Sequence, residues 1–207
     1  MKYRLAKISD LNAIANIHYD VRESYTVGFF SKLGISFIKK YYSIVLNDPN
    51  SVVICAENND GIIQGFCSAT LDINAQMFNL RRHKWILGYS AIPSIIKNPR
   101  LFKDLYDRYK LKDNTDKKII SFGGARSEYW AWKSTNQDSV SSVEMYFAKL
   151  NILKALGVKN LFGEVDIINK KVLKFQLANG AEIIERIILR DGRERVFLKT
   201  PLITWKK

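Results

Sequence analysis

The residues best equipped for chemistry stand between positions 128 and 181. Glu128 opens the run Glu-Tyr-Trp-Ala-Trp, and shortly after it Gln137-Asp-Ser-Val-Ser-Ser leads into a long amphipathic helix. The first turn of a helix leaves several backbone N–H groups without partners, and with the helix dipole they make a ready site for an anion such as a pyrophosphate. Ser139, Ser141 and Ser142 can supplement those donors with hydroxyls. Glu128 is a candidate proton acceptor if partial burial raises its pKa; the alternative is an ordinary exposed strand-end acid. His18 lies on the apolar line of a helix and is read as a satisfied core histidine rather than a base. Asp166 and Asn169 follow at the end of a strand, on the side where ligands collect in open α/β sheets, although Asn169 also suits the cap of the next helix.

From Gln137 to Ala181 the order of these features resembles the GNAT acetyltransferase superfamily. There a strand leads to a Gln/Arg-x-x-Gly-x-Gly/Ala loop, a helix, a Gly turn, a strand and an Asn-led helix ending near Phe-Tyr-x-x-x-Gly-Phe. Counting back from Gly157-Val158, Gln137 falls at the Gln/Arg position, Val140 at the first Gly and Ser142 at the Gly/Ala. Asn169, Phe175 and Gly180 match the Asn, Phe and Gly of the later helix. Two positions depart from the pattern: Val140 replaces a glycine, and Gln176 stands where a tyrosine often serves as general acid. A valine is strained at a loop position that needs positive φ, so either the loop takes another path or Val140 already belongs to the helix.

The resemblance implies acetyl-CoA as co-substrate and direct attack by an amine held in a ternary complex. Such a reaction needs a neutral amine, a donor for the tetrahedral oxyanion and a proton for the departing thiolate. The family's splayed strand corresponds to residues 129–132, so main-chain donors at Ala131 and Trp132 would hold pantetheine and thioester. Gln137, Ser139, Val140, Ser141, Ser142, Asn169 and Phe175 complete the implied cofactor set. Glu128 would accept the amine proton, Tyr146 or water would protonate the thiolate, and Tyr19 and Tyr25 would line the acceptor pocket.

These groups need a scaffold, and the chain reads as an α/β one. Residues 3–7 alternate as a strand, and Ser9-Asp10 offers an N-cap to a helix lined by Leu11, Ile14, Ala15, His18 and Val21. A second helix carries Leu33, Phe37, Tyr41 and Ile44 and stops before Pro49. Its sequence FFSKLGISFIKKYY resembles the second helix of GNAT members encoded with surface-polysaccharide enzymes, which implies a nucleotide- or lipid-linked amino sugar as acceptor. Strands at 51–57 and 62–71 flank Asn58-Asn59-Asp60-Gly61, a strong hairpin signal. Segments 119–125 and 128–133 are strand-like, with Gly123-Gly124 allowing a bend between them. The helix from about Val140 presents Val143, Phe147, Leu150 and Leu153 and ends at Gly157. A strand at 161–166, a helix at 170–178 and a closing hairpin around Asp191-Gly192 complete the order. The strand–helix–strand unit at 129–166 predicts a parallel pair in a mixed sheet with helices on both faces.

Residues 73 to about 118 interrupt that order as a basic helical insertion in a single domain spanning 1–207. Residues 80–118 hold 11 Lys/Arg against 4 Asp, with Trp85 and Tyr89 among them, and Pro93 and Pro99 are expected to break the segment into short helices. It is either a membrane-surface or substrate-covering element or a helical layer packed on the domain. The formal net charge of +13 favours anionic partners in general and selects none, and nucleic acid is a minor expectation. Cys55 and Cys67 lack metal-ligand spacing, so buried strand positions and no metal are expected. The apolar runs are shorter than a membrane span and the N-terminus lacks a signal-peptide pattern, so a cytoplasmic protein is expected. The last strand and Trp205 offer a route to a homodimer. Three classes therefore stand: an N-acyltransferase, a GNAT-like binding module with a decayed cleft, and a basic surface-binding protein.

Overall fold

The computed structural model describes residues 1–21, 29–103, 123–133, 135, 138–188 and 192–203. The strands are β1 (Lys2–Leu5), β2 (Ser51–Glu57), β3 (Ile63–Thr70), β4 (Ala125–Trp132), β5 (Asn160–Asp166), β6 (Glu182–Ile188) and β7 (Glu194–Pro201). The helices are α1 (Leu11–Asp20), α2 (Phe29–Lys32), α3 (Gly34–Leu46), α4 (Ile73–Arg82), α5 (Lys84–Lys97), α6 (Ser139–Ala155) and α7 (Lys170–Ala178). The strands form one sheet in the order β1-β2-β3-β4-β5-β7-β6. All neighbours are antiparallel except β4 and β5, which run parallel as the strand–helix–strand order requires.

Each face is covered because its side chains alternate. On one face Cys55, Phe66 and Ala131 meet Ile14, Ile17, Phe37 and Tyr41 of α1 and α3. On the other, Ile54, Cys67 and Ala69 meet Met145, Leu150 and Leu153 of α6. Farther along that sheet α7 sets Val172 and Leu173 against Val165 and Val196. Both cysteines are buried and free, as the strand reading anticipates. The expected helices, both hairpins and the mixed sheet with helices on its two faces are all present.

Several local expectations are corrected. Asp10 does not cap α1; its carboxylate accepts Lys7 N–H at 2.7 Å and pairs with Arg4 at 2.7 Å, which binds it to β1 instead. The region around Gly123-Gly124 is not a link between two described strands. Both glycines adopt positive φ, +58° and +76°, and β4 runs without interruption after them. The described insertion comprises α4, α5 and a helical turn from Arg100; α4 and α5 divide at His83 rather than at Pro93, while the break expected at Pro99 is present, since α5 ends at Lys97. Pro93 lies inside α5 on the solvent side, where the Tyr89 carbonyl that loses its N–H partner can be hydrated. Gly34 lets α5 seat on α3: its φ is +84°, and a Cβ there would lie 2.4 Å from Ser94 Oγ. Residues 104–118 of the insertion, the strand start at 119, Tyr25, Gln137, Asp191 and Trp205 lie outside the described residues.

Candidate active site

β4 and β5 begin side by side and then part. Their only paired positions are Ala125 with Leu161 and Arg126 with Phe162, so among the described residues the β5-facing edge of β4 has no strand partner from Ser127 to Trp132. An unpaired strand edge inside a sheet presents N–H and C=O groups that must find other partners. Gly163 of β5 sits at the point of divergence, where a Cβ would come 3.6 Å from that of Ser127.

On its other edge β4 carries a bulge. Cys67 pairs with Trp130 and Ala69 with Ser127, so Ser68 alone opposes both Glu128 and Tyr129. A bulge turns consecutive side chains out of strict alternation and is a common way to aim one of them. Ser68 Oγ accepts from Tyr129 N at 3.2 Å and lies 3.4 Å from Glu128 Oε2. Tyr41 of α3 is placed to hydrogen-bond Glu128 as well. Burial pushes the Glu128 carboxyl up to about 7, against the opposing influence of Gln76, Arg126, Ser68 and Lys149. A carboxylate poised near neutrality is a competent proton acceptor.

Aromatic residues surround this point. His18 is buried and shares a 2.7 Å hydrogen bond with Tyr42, and its ring lies 4.5 Å from that of Tyr129. Burial lowers its pKa to about 4, so it is neutral and structural at physiological pH, as its place on the apolar line suggests. Tyr19 is half-buried on α1 and packs against the same cluster.

Sequence reasoning missed two contributors. Gln76 of α4 is fully buried, its amide nitrogen finds no hydrogen-bond partner of good geometry, and the amide lies close enough to Glu128 to favour the carboxylate. Lys149 of α6 is also fully buried; its Nζ donates to Ser127 Oγ at 2.7 Å and lies 4.3 Å from the centre of the Tyr146 ring. Burial depresses its pKa. Gln76 belongs to an insertion whose docking no local pattern announces. Lys149 had a local signal, since it falls on the helical face that carries Tyr146 and Leu153.

The residues expected to hold a cofactor are arranged differently. Val140 is helical, no non-glycine residue among those described has positive φ, and its side chain is exposed. The glycine requirement at 140 therefore disappears, because α6 starts one residue earlier, at Ser139. Asp138 caps this helix: Oδ1 accepts Ser141 N–H at 2.9 Å, and contacts with Ser141 and Val140 hold the carboxyl below the usual range. Ser139 is exposed and Ser141 half-buried, while Ser142 Oγ accepts Trp130 Nε1–H at 3.0 Å. Ala131 is buried against the α1–α3 side, and Trp132 lies over Gly65 so tightly that a Cβ there would meet its ring at 2.2 Å. The buried Trp132 Nε1 has no partner.

Trp130, Tyr146, Phe147 and Phe175 form one aromatic cluster between β4, α6 and α7, with ring separations of 4.7 Å for Trp130–Tyr146 and 5.3 Å for Trp130–Phe175. Burial raises the Tyr146 phenol well above its ordinary value, which makes it a poorer acid for a thiolate whose own pKa is near 8.5. Asn169 caps α7 through Val172 N–H at 3.5 Å, the structural role weighed for it. Asp166 is engaged by Arg195 at 2.6 Å and Arg193 at 3.2 Å, so it serves the β5–β7 seam. The structure thus gathers Glu128 with Tyr41, Tyr129 and His18, and Ser142 with Trp130 and Phe175, while Asp166 pairs with arginines and Asn169 caps α7.

No protein-family model matches the chain, and no curated protein matches it by sequence. Solved structures do. A ribosomal-protein-alanine N-acetyltransferase from Brucella melitensis superposes with a TM-score of 0.61 at 11% identity, covering 97% of this chain and 99% of the other. A GNAT-family acetyltransferase from Bacillus cereus gives 0.56 at 13% identity over 97% and 96%. An aminoglycoside 6'-acetyltransferase type Ii gives 0.59 at 9% identity over the full length of both chains. With the splayed parallel pair and the helix order between its strands, the chain has the GNAT acetyltransferase fold.

Proposed function

We propose that this chain is an N-acyltransferase that moves an acetyl group from acetyl-CoA to a small amine. The observation that carries this reading is the divergence of β4 from β5 directly beside the half-buried Glu128. The main-chain edge of β4 suits an amide-bearing chain such as pantetheine, and the first turn of α6 offers Ser139 to a pyrophosphate, with Ser141 shared with Asp138. When bound, acetyl-CoA supplies an acyl carbon already activated as a thioester. Glu128 takes the proton from the acceptor ammonium, leaving a neutral nitrogen, and the main-chain edge of β4 that faces away from β3 donates to the acyl oxygen as it gains charge. The C–N bond forms as the C–S bond breaks, and the second proton that the nitrogen sheds on becoming an amide passes through water to the departing thiolate. Holding both substrates across β4 removes much of the barrier without a covalent intermediate.

The acceptor proposed is a nucleotide- or lipid-linked amino sugar. The support is the resemblance in residues 29–42, whose final Tyr41-Tyr42 reach Glu128 and His18. The names of the similar structures span a ribosomal-protein alanine and an aminoglycoside, so the fold does not choose among amines. Titration calorimetry with acetyl-CoA and CoA tests the first half, with saturable binding expected below millimolar concentration. Absence of heat at millimolar ligand removes it. A second reading, a binding module that no longer takes CoA, is favoured by the Asp138 carboxylate on the α6 N-terminus. Affinity that emerges only in Asp138→Asn would support that alternative.

A further inference from the structure

The outer face of α5 has the composition of a surface that is normally covered. Leu87, Ala91 and Ile95 turn inward onto the α1–α3 core, which accounts for one side of the helix. The opposite side shows Trp85, Tyr89, Ile92 and Ile96, spaced by four, three and four residues, and therefore one continuous stripe. Trp85 and Tyr89 are 70% exposed and Ile96 73%. Single exposed apolar residues need no explanation, but a contiguous apolar face marks an interaction site.

Charge decides what covers it. From Ile73 to Lys103 there is no Asp or Glu, while Arg81, Arg82, Lys84, Lys97, Arg100 and Lys103 stand exposed at the two ends of the stripe. A second copy joined by a two-fold axis would set the same six cations against themselves. A nucleic acid would satisfy the cations and leave the stripe in water. An anionic bilayer meets both demands: headgroups take the Lys and Arg, the acyl boundary takes the isoleucines, and Trp and Tyr prefer the interface between them. Lys84 Nζ, 5.4 Å from the Trp85 ring, already joins the charged and aromatic parts.

We infer that α5 is an interfacial anchor that lays this chain on anionic lipid. The inference is independent of acyl transfer, since the surface is remote in kind from the Glu128 chemistry and is assayed without CoA. Sedimentation with phosphatidylcholine vesicles, with and without phosphatidylglycerol, tests it using the full chain. Binding to the anionic vesicles is expected, and Ile92→Glu should weaken it about tenfold or more, as roughly 1.4 kcal/mol per decade requires. Ile188→Glu, at a 72% exposed site on β6, should leave it unchanged, with circular dichroism confirming that both variants fold. Brominated lipid should quench tryptophan fluorescence, and Trp85→Phe should remove most of that quenching. The anchor is overturned by any of three results: no binding to anionic vesicles, binding indifferent to Ile92→Glu and abolished by moderate salt, or a vesicle-free dimer that Ile92→Glu dissolves.

Discussion

The two ends of the site are prepared to different degrees. At the β4 bulge, a carboxylate is desolvated, flanked by Gln76, Ser68 and Tyr41, and brought near neutrality. At the α6 N-terminus, the groups that would receive a pyrophosphate are met by a carboxylate of the chain itself, Asp138. The first region carries the cost of burying a titratable group, which evolution tolerates where chemistry needs it. The second is a helix satisfied by its own cap. On the proposed function, the proton-transfer end would be built in advance, while the anion end would compete with an internal ligand.

The comparison breaks most sharply at Glu128. Glu128→Gln should lower kcat by about 10²-fold or more if this group takes the amine proton. In the wild type, kcat/KM should rise with pH through about 7, because the base must be ionised. The raised pKa also sets a stability sign. The native carboxyl holds its proton to higher pH than the unfolded one, so the burden is absent below the unfolded pKa and complete above about 7. Glu128→Gln should therefore gain on the order of 1–3 kcal/mol at pH 8 and almost nothing at pH 4, measured by denaturant melts. An inactive variant without that gain would mean that Glu128 is not desolvated.

Lys149 lies between the two regions and tests the α6 wall. Ser127→Ala removes the hydroxyl that Lys149 donates to and should destabilise by about 1–3 kcal/mol, as an abandoned buried donor does. Lys149→Met keeps the volume and removes the charge, so it should be neutral or stabilising. Its depressed pKa means that the unfolded chain binds the proton first; any gain is largest at low pH and fades as pH rises toward about 10. Opposite pH trends for Glu128→Gln and Lys149→Met would separate the two burials.

The smallest effect is expected at Asp138. Asparagine caps a helix as well as aspartate, so Asp138→Asn should leave the melting temperature nearly unchanged. With the competing negative charge gone, CoA should bind about two- to fivefold more tightly, matching a dipole-scale interaction of 0.3–1 kcal/mol. Unchanged affinity would show that the phosphates do not use the first turn of α6.

What the sequence made legible was local. Asn58–Gly61 announced its hairpin because few other residues turn so tightly, and the unbroken apolar run from Val52 to Ala56 of β2 followed from burial on both faces. Ser139–Ser142 announced a helix start, although Asp138 immediately before it was the truer signal, a cap and not a bystander. The bulge was not legible, since it exists only as a mismatch of register between Ser68 and the pair Glu128 and Tyr129. Gln76 was hidden for a related reason: its role depends on how α4 docks. Pro93 misled because a proline on the solvent side of a helix forfeits a bond that water can replace.

The ion pairs at the root of the splay carry one more consequence. Arg126, in the last rung where β4 and β5 still pair, reaches forward to Glu164 on the diverging part of β5. Glu164 is in turn held by Arg195 of β7, which also grips Asp166. This chain of charges works as a rivet at the crotch of a wedge: it fixes where the strands stop being neighbours. Without it, the two edges would be free to zip further together or peel further apart. With it, the folded chain itself holds the gap open, and under the proposed function a guest would not spend binding energy to open it.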